Sequence, residues 1–445
     1  MSPLAIRGGP PVRTTPYPSY VSLGEEEKRA ALEVLDTKVL SQFLGTWSPD
    51  FYGGSRVQDL ERAWADYFAV RHAVSVNSAT SGLFAAVGAA GVGPGDEVIV
   101  SPYTMSASAT AALVYGAIPV FADIDPDTFC MTPTSIRERI TPRTRAIIAV
   151  DLFGHPAAFD EIMTIAAEHR LTVIEDSAQA PGARLGSRYA GTLGHMGVFS
   201  LNYHKTIHSG EGGVIVTDDD GFAERLKLIR NHAEAVVAAK GVTDLVNMVG
   251  FNYRMTEIEA AIAAEQLKKL EKLLQPRIEA AEYLTERLAA LPAITPPIVR
   301  PRVRHGFYVY AIRYDVAQAG VPRDHFARAL QAEGVPIYQG YVRPLYLEPL
   351  YQRRIAFGRD GFPFTYHGYG GNVSYEPGIC PVAERMHFHE LLYTNICHAN
   401  IARSDLADFV AAFEKVLAHL DELRDDAESL PRAAATRPDE GRHHI

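Results

Sequence analysis

Two spacings of apolar residues alternate along the first half of the chain. Short, largely β-branched runs predict strands over Ala73–Val76, Glu97–Val100, Pro119–Ala122, Ala146–Val150, Thr172–Glu175 and Val214–Thr217, with a further apolar run at Gly197–Phe199. Segments with apolar residues three and four apart predict helices over Val57–Phe68, Leu83–Ala90, Ser106–Tyr115, Thr134–Ile140 and Phe159–His169, with an earlier helix at Glu25–Leu35. Strands that are apolar on both faces and alternate with helices imply an α/β fold, a mostly parallel sheet covered on both sides. In such sheets ligands collect at the carboxyl ends of strands. Asn77, Tyr103, Asp176 and Ser200 all lie just past a predicted strand or apolar run, so the pattern can bring them to one cleft.

The second half reads differently. Glu257–Leu288 has long helical periodicity, with Pro276 as the expected break. We therefore place a large domain with an N-terminal arm over 1–275 and a smaller α+β domain over 276–424. The smaller domain should hold a strand (Tyr308–Tyr314), a helix (Arg323–Glu333), a Tyr/Pro-rich middle (338–375) and a last helix (Ser404–Leu423). Residues 1–24, rich in Pro, Gly and Tyr, should wrap a surface or a partner. Residues 425–445 are charged and Pro-bearing, and are expected to be a disordered tail.

Composition narrows the function class. With 445 residues, two domains are the natural prior. A formal net charge of -10 argues against nucleic-acid or anionic-membrane partners. No apolar run reaches spanning length and the start does not read as a signal peptide, so a cytoplasmic location is expected. Cys130, Cys380 and Cys397 are far apart and without zinc spacing, which fits a reducing compartment and no metal.

Three stretches can carry chemistry. Lys205 sits in Ser200-Leu-Asn-Tyr-His-Lys205-Thr-Ile-His-Ser-Gly-Glu-Gly-Gly213, between an apolar run and a glycine-rich turn. A lysine desolvated on such a loop becomes a nucleophile, although alone it reads as a surface lysine beside a turn. Asn77-Ser-Ala-Thr-Ser-Gly82 is a strand-to-helix turn of small, hydroxyl-bearing residues. The free N–H groups of a helix start there can cradle a phosphate, with Thr80 and Ser81 adding hydroxyls; a plain N-cap is the competing reading. Asp176 follows an apolar strand, and a carboxylate buried there needs a cationic partner or serves as a cap. A Schiff-base lysine, an acid for a ring nitrogen and a phosphate cradle are together the three handles of pyridoxal 5'-phosphate.

The chain resembles the DegT/DnrJ/StrS-type sugar aminotransferase family, within the aspartate-aminotransferase-like, fold-type I enzymes that use pyridoxal 5'-phosphate. The matching motifs are Asn77-Ser-Ala-Thr-Ser-Gly-Leu83, Gly95-Asp-Glu-Val-Ile-Val100, Gly116-Ala-Ile-Pro-Val-Phe-Ala-Asp123 and Glu175-Asp-Ser-Ala-Gln-Ala180. They continue with Ser200–Gly213, Arg230-Asn-His232, Gly250-Phe-Asn-Tyr-Arg-Met-Thr256 and Cys380-Pro-Val-Ala-Glu-Arg385. The resemblance spans nearly the whole chain and implies a large, mostly parallel, seven-stranded-type sheet domain plus a smaller α+β domain.

By that resemblance Lys205 is the Schiff-base residue and proton shuttle, and Asp176 keeps the pyridine nitrogen protonated. Gln179 contacts the ring-hydroxyl side, and Ala79, Thr80 and Ser200 hold the phosphate. Asn252 reaches the phosphate of a neighbouring subunit, which implies a homodimer with shared sites. The family places an aromatic residue where this chain has Met105; either Met105 packs on the cofactor or Tyr103 serves instead. The implied reaction moves an amino group from glutamate or glutamine to a keto sugar, first choice nucleotide-linked, with a keto-cyclitol as the alternative. Pyridoxamine phosphate would carry the amino group between the halves. Lys205 disfavours a dehydratase relative, in which histidine replaces it, and the intact lysine, acid and cradle disfavour a non-catalytic one. In the C-terminal half, Tyr341, Arg343, Tyr346, His367, Tyr369 and Asn372 are candidates for hydroxyl recognition, with Arg343 or the Arg353–Arg354 pair for a diphosphate. His204 and His208 flank the lysine and suit structural hydrogen bonds.

Overall fold

The computed structural model describes residues 3–424; the disordered tail expected at 425–445 lies outside the described residues. The predicted strands form one sheet. In chain order they are β1 (His72–Val76), β2 (Glu97–Val100), β3 (Ile118–Phe121), β4 (Thr144–Val150) and β5 (Thr172–Asp176). Two short strands, β6 (Arg184–Leu185) and β7 (Arg188–Tyr189), precede β8 (Met196–Ser200) and β9 (Gly213–Thr217). The seven long strands run in the order β1-β9-β8-β5-β4-β2-β3.

Five of these strands pair in parallel as β8-β5-β4-β2-β3, and β9 alone runs antiparallel to both of its neighbours. The reason is local. Each parallel crossover needs a long connection, a helix or, between β5 and β8, the β6–β7 excursion, whereas β8 and β9 are joined by a loop that turns straight back. Lys205 is on that loop. The strands are buried on both faces, apart from the exposed Arg145 near the start of β4, as their mostly apolar content requires.

Helix Ala79–Ala89 starts earlier than its apolar periodicity predicts, because Ser78 caps it by accepting from the Ser81 N–H at 3.1 Å. The cradle residues Ala79 and Thr80 therefore lie in its first turn.

Helix Glu257–Leu288 runs unbroken through Pro276, against the expected interruption there. A Thr256–Glu259 capping box starts it, and Leu273, Leu274, Arg277 and Ile278 around the proline are all buried. Packing on both sides offsets the one hydrogen bond that proline cannot make. The helix is a spine between two cores: Ala260–Leu273 packs with helix Ser55–Phe68, and Leu274–Leu288 with the C-terminal unit.

That unit holds β10 (Ile294–Thr295), β11 (Val303–Arg304), β12 (Tyr310–Tyr314), β13 (Tyr338–Gln339) and β14 (Leu391–Thr394). Four of them form an antiparallel sheet, β10-β12-β14-β13, while β11 pairs with β6. The segment between β13 and β14 returns to the large sheet: Leu345, Tyr346, Tyr351, Tyr375 and Cys380 join its core. The N-terminal arm lies along the C-terminal unit, with Leu4 in its core and Arg13 paired to Asp405 and Asp408. No helix among the described residues is long and apolar enough to cross a membrane.

Candidate active site

The carboxyl ends of β5 and β8 and the helix start after β1 meet at one sheet edge, because β9 brings Gly213 beside β1 while leaving the Lys205 loop above β8. The loop is tied down: the Lys205 N–H donates to Asn202 O at 2.9 Å, Ser209 N–H to Leu201 O at 3.0 Å, and the Tyr20 hydroxyl of the arm to Thr206 O.

Lys205 is buried, its Nζ 3.4 Å from the Tyr308 hydroxyl and 4.6 Å from the centroid of that ring. Burial lowers its ammonium from the ordinary value near 10.5 to about 8, and the negative charge of Asp176 opposes the shift. A fraction of the amine is therefore neutral and nucleophilic near neutral pH.

Asp176 ends β5. Its Oδ2 accepts from the Ser108 hydroxyl at 2.7 Å, and its Oδ1 from the Ala178 N–H at 3.2 Å. Burial raises its pKa above the usual carboxylate value, while Ser108, Ala178 and Lys205 pull the other way. No ion pair within 4.0 Å joins it to Lys205, so the two interact only through the field.

Gln179 is fixed at both ends. Its Oε1 accepts from the Phe153 N–H at 2.7 Å, and its Nε2 donates to the Tyr341 hydroxyl at 2.8 Å. Tyr341 and Phe153 hold positive φ angles of 53° and 58°, a strained conformation for aromatic residues.

Of the remaining expected residues, Ser200 is buried at the end of β8, Ala79 is half-buried and Thr80 exposed at the helix start. Asn252 is exposed; its Oδ1 accepts from Arg254 Nε at 2.8 Å, and its carbonyl from Asn77 Nδ2 at 3.5 Å. Met105 is exposed, at 62%, on the loop after β2. Tyr103 is fully buried, donates to Gly340 O and meets Tyr341 edge-on.

The site also includes residues that the sequence did not single out. Ser108 is a fully buried hydroxyl in an alanine-rich helix, and with Ser106 and Thr110 at the same spacing nothing local set it apart. Tyr308 lies just before β12, and nothing local marked it. Conversely, Tyr346 is buried with its hydroxyl on Glu384. Tyr369 donates to Glu97, and Tyr375, beneath Arg354, donates to Pro119 O. Glu97 begins β2 and Pro119 lies early in β3, so that segment packs on the opposite sheet edge. His204 is half-buried and lowered to about 4 by burial and by the charges of Lys205 and His208. The His208 N–H donates to Gln266.

The donor set fits pyridoxal 5'-phosphate: a buried amine, a buried carboxylate, and a helix start with free N–H groups. The cradle has a steric requirement as well. A Cβ at Gly213 would lie 2.7 Å from the Ala79 nitrogen and 2.8 Å from Ser78 C, blocking the amide that faces an anion.

Residues 34–374 match the model of the DegT/DnrJ/EryC1/StrS aminotransferase family. An L-glutamine:2-deoxy-scyllo-inosose aminotransferase of Micromonospora echinospora is 34% identical over 442 residues, covering 95% of this chain and 100% of its own. A GDP-perosamine synthase of Caulobacter vibrioides is 36% identical over 333 residues, covering 74% and 85%. Among solved structures, the aminotransferase from Psychrobacter cryohalolentis superposes with a TM-score of 0.78 at 27% identity, covering 91% of this chain and 100% of its own.

Proposed function

Because the chain belongs to the DegT/DnrJ/EryC1/StrS aminotransferase family, we propose that it transfers an amino group from glutamate or glutamine to a ketone on a polyhydroxylated six-membered ring, with pyridoxal 5'-phosphate as cofactor. The observation that carries the reading is the buried Lys205 amine, its pKa lowered by that burial, on the same sheet edge as Asp176 and the Ala79 helix start.

When bound, the cofactor supplies an electron sink conjugated to the reacting carbon. Lys205 holds it covalently through Nζ and then moves a proton at that atom. Asp176 presents a carboxylate, oriented by Ser108, to a protonated ring nitrogen. Gln179, locked between Phe153 and Tyr341, meets the ring-hydroxyl side. Ala79, Thr80 and Ser200 would hold the phosphate, and the exposed thioether of Met105 would be available to the ring. Asn252 completes the phosphate site of a second subunit in a homodimer.

Of the two rings expected, the cyclitol has the stronger support. The match to the scyllo-inosose aminotransferase covers 95% of this chain, against 74% for the GDP-perosamine synthase. Arg354, one of the cations considered for a diphosphate, donates to Val373 O and lies over Tyr375 toward the far sheet edge. Likeness to the GDP-perosamine synthase keeps a nucleotide-linked keto sugar as the second reading.

The test supplies glutamine or glutamate with scyllo-inosose, 2-deoxy-scyllo-inosose, a nucleotide-linked 4-keto-6-deoxyhexose, oxaloacetate and pyruvate, and compares kcat/KM. A preference for either inosose is expected. Preference for the nucleotide sugar selects the second reading, and preference for oxaloacetate or pyruvate rejects both.

A further inference from the structure

A cavity of about 630 Å³ is lined by His204, the neighbour of Lys205 in the chain, and by Tyr308, which contacts the lysine amine. The arm at Pro16–Tyr20 closes one side, Gly334–Pro336 and Asn395–His398 the other, and Tyr308 forms the wall toward the lysine. Its lining holds one arginine and two histidines but no aspartate or glutamate, in a chain with 53 acidic and 43 basic side chains.

The arginine is Arg277, which is only 4% exposed. Its Nη1 donates to the carbonyls of Phe307 and Tyr308, each at 3.3 Å, and its guanidinium lies 5.4 Å from the centroid of Tyr20. Its Nε is buried without a partner. Other deeply buried arginines are paired, Arg230 with Glu61 and Arg323 with Asp324. Among the described residues no carboxylate pairs with Arg277. A guanidinium never gives up its proton, so this charge cannot be relieved by titration.

The histidines do not supply a second charge. His204 and His398 are both lowered to about 4, chiefly by burial, and the Arg277 cation adds to the shift at His398. At neutral pH Arg277 is the fixed positive charge of an acid-free lining, which is an environment for an anion.

Tyr308 relates this charge to the chemistry. Its hydroxyl is 3.4 Å from Lys205 Nζ, and its carbonyl accepts from Arg277. The reactive amine and the guanidinium thus stand at opposite ends of one tyrosine. A donor that meets the amine with its nitrogen can extend a carboxylate along this wall toward the guanidinium. A pyrophosphate would set at least two charges before one guanidinium.

We propose that Arg277 anchors a carboxylate of the amino donor and of the 2-oxo acid it becomes. The inference rests on the aminotransferase reading and specifies which side of the Lys205 site takes the donor. The Tyr20 ring, held to the Lys205 loop through Thr206 O, covers the anchor.

The probe is glutarate, which has the donor's carboxylate chemistry but no amine, titrated calorimetrically into the holoenzyme. Arg277→Gln should weaken it about tenfold or more, and Arg277→Lys should recover part of the loss. In turnover, the donor KM should rise by about the same factor, with the ring-ketone KM changed less than about twofold. No glutarate binding to the unaltered enzyme, equal affinity in the variants, or an equal rise in both KM values overturns the assignment. Arg277 also holds two carbonyls, so a second arm uses the unaltered enzyme: the α-carboxamide of L-glutamine should compete about tenfold more weakly than L-glutamine. Equal competition overturns the proposal. If UDP displaces glutarate and loses affinity equally in Arg277→Gln, the site belongs to an acceptor phosphate, and the donor assignment fails. If no ring ketone is aminated yet glutarate binding depends on Arg277, the acceptor reading fails and the anchor stands.

Discussion

The Ser108 hydroxyl donates to Asp176 Oδ2 at 2.7 Å, joining the helix after β2 to the end of β5 beneath the reactive lysine. Both residues are buried, so no solvent can replace the bond. Hydrogen bonds to charged groups are worth about 1.5–3 kcal/mol. Ser108→Ala should therefore lower kcat/KM by about tenfold to a hundredfold, and Ser108→Thr should retain more. The same substitution should move the lower limb of the pH–rate profile upward, because Ser108 holds the Asp176 pKa down. An unchanged profile would place Ser108 outside the catalytic group.

Lys205 carries a cost in the cofactor-free protein. Its ammonium titrates near 8 when folded and near 10.5 when exposed. Between those values the unfolded chain binds the extra proton, so stability rises with pH there. Below about 8 the penalty is fully present, at up to about 3 kcal/mol. Lys205→Met should end turnover yet stabilise the cofactor-free protein at pH 7 in urea. The advantage should shrink between pH 8 and 10.5, and a pH-independent difference would count against the buried-charge account.

Gly213 is set by contact. Its φ lies outside the left-handed region, but a Cβ there meets Ala79 N at 2.7 Å and Ser78 C at 2.8 Å, both backbone atoms that cannot swing aside. Gly213→Ala should displace the helix start and weaken cofactor retention at least about tenfold. Equilibrium dialysis of pyridoxal 5'-phosphate measures this, and normal retention in the folded variant would reject the cradle.

How far the fold was legible follows from where the determining forces are local. The seven long strands and their helices from Ala73 to Thr217 can be read because those strands are apolar and punctuated by turns, whereas the short, polar β6 and β7 give no such signal. The nearness of Lys205 and Asp176 follows from the same pattern, since Asp176 ends β5 and Lys205 lies on the loop that leaves the neighbouring β8. Pro276 misled because its local penalty is overridden by two cores gripping one helix. Strands β13 and β14, with the strained Tyr341 beside them, depend on pairing partners far along the chain, which no local periodicity encodes. Arg277 is by its local sequence one basic residue among several on a long helix, and only the fold shows that no carboxylate among the described residues pairs with it.

The last prediction concerns Asn252. Within its own chain the segment around it already lies on the cradle: Asn77 N–H donates to Tyr253 O at 2.8 Å, and Asn77 Nδ2 to Asn252 O. The Asn252 side chain is exposed beside this contact, its Oδ1 held by Arg254. In the homodimer proposed above, this solvent-exposed side chain would cross a two-fold axis to the adjoining subunit, where the same residue would return the contact. Lys205→Ala and Asn252→Ala are each expected to be inactive or severely impaired. Mixed after subunit exchange, they should regain activity if Asn252 acts in trans, because one site of each heterodimer then has both intact residues. With complete exchange half of the dimers are mixed and each has one good site, so about a quarter of the unaltered activity should return. Action in cis gives no recovery, since every site would then lack one residue. Mass spectrometry of differently labelled subunits verifies exchange, and no regained activity after verified exchange rejects the shared site.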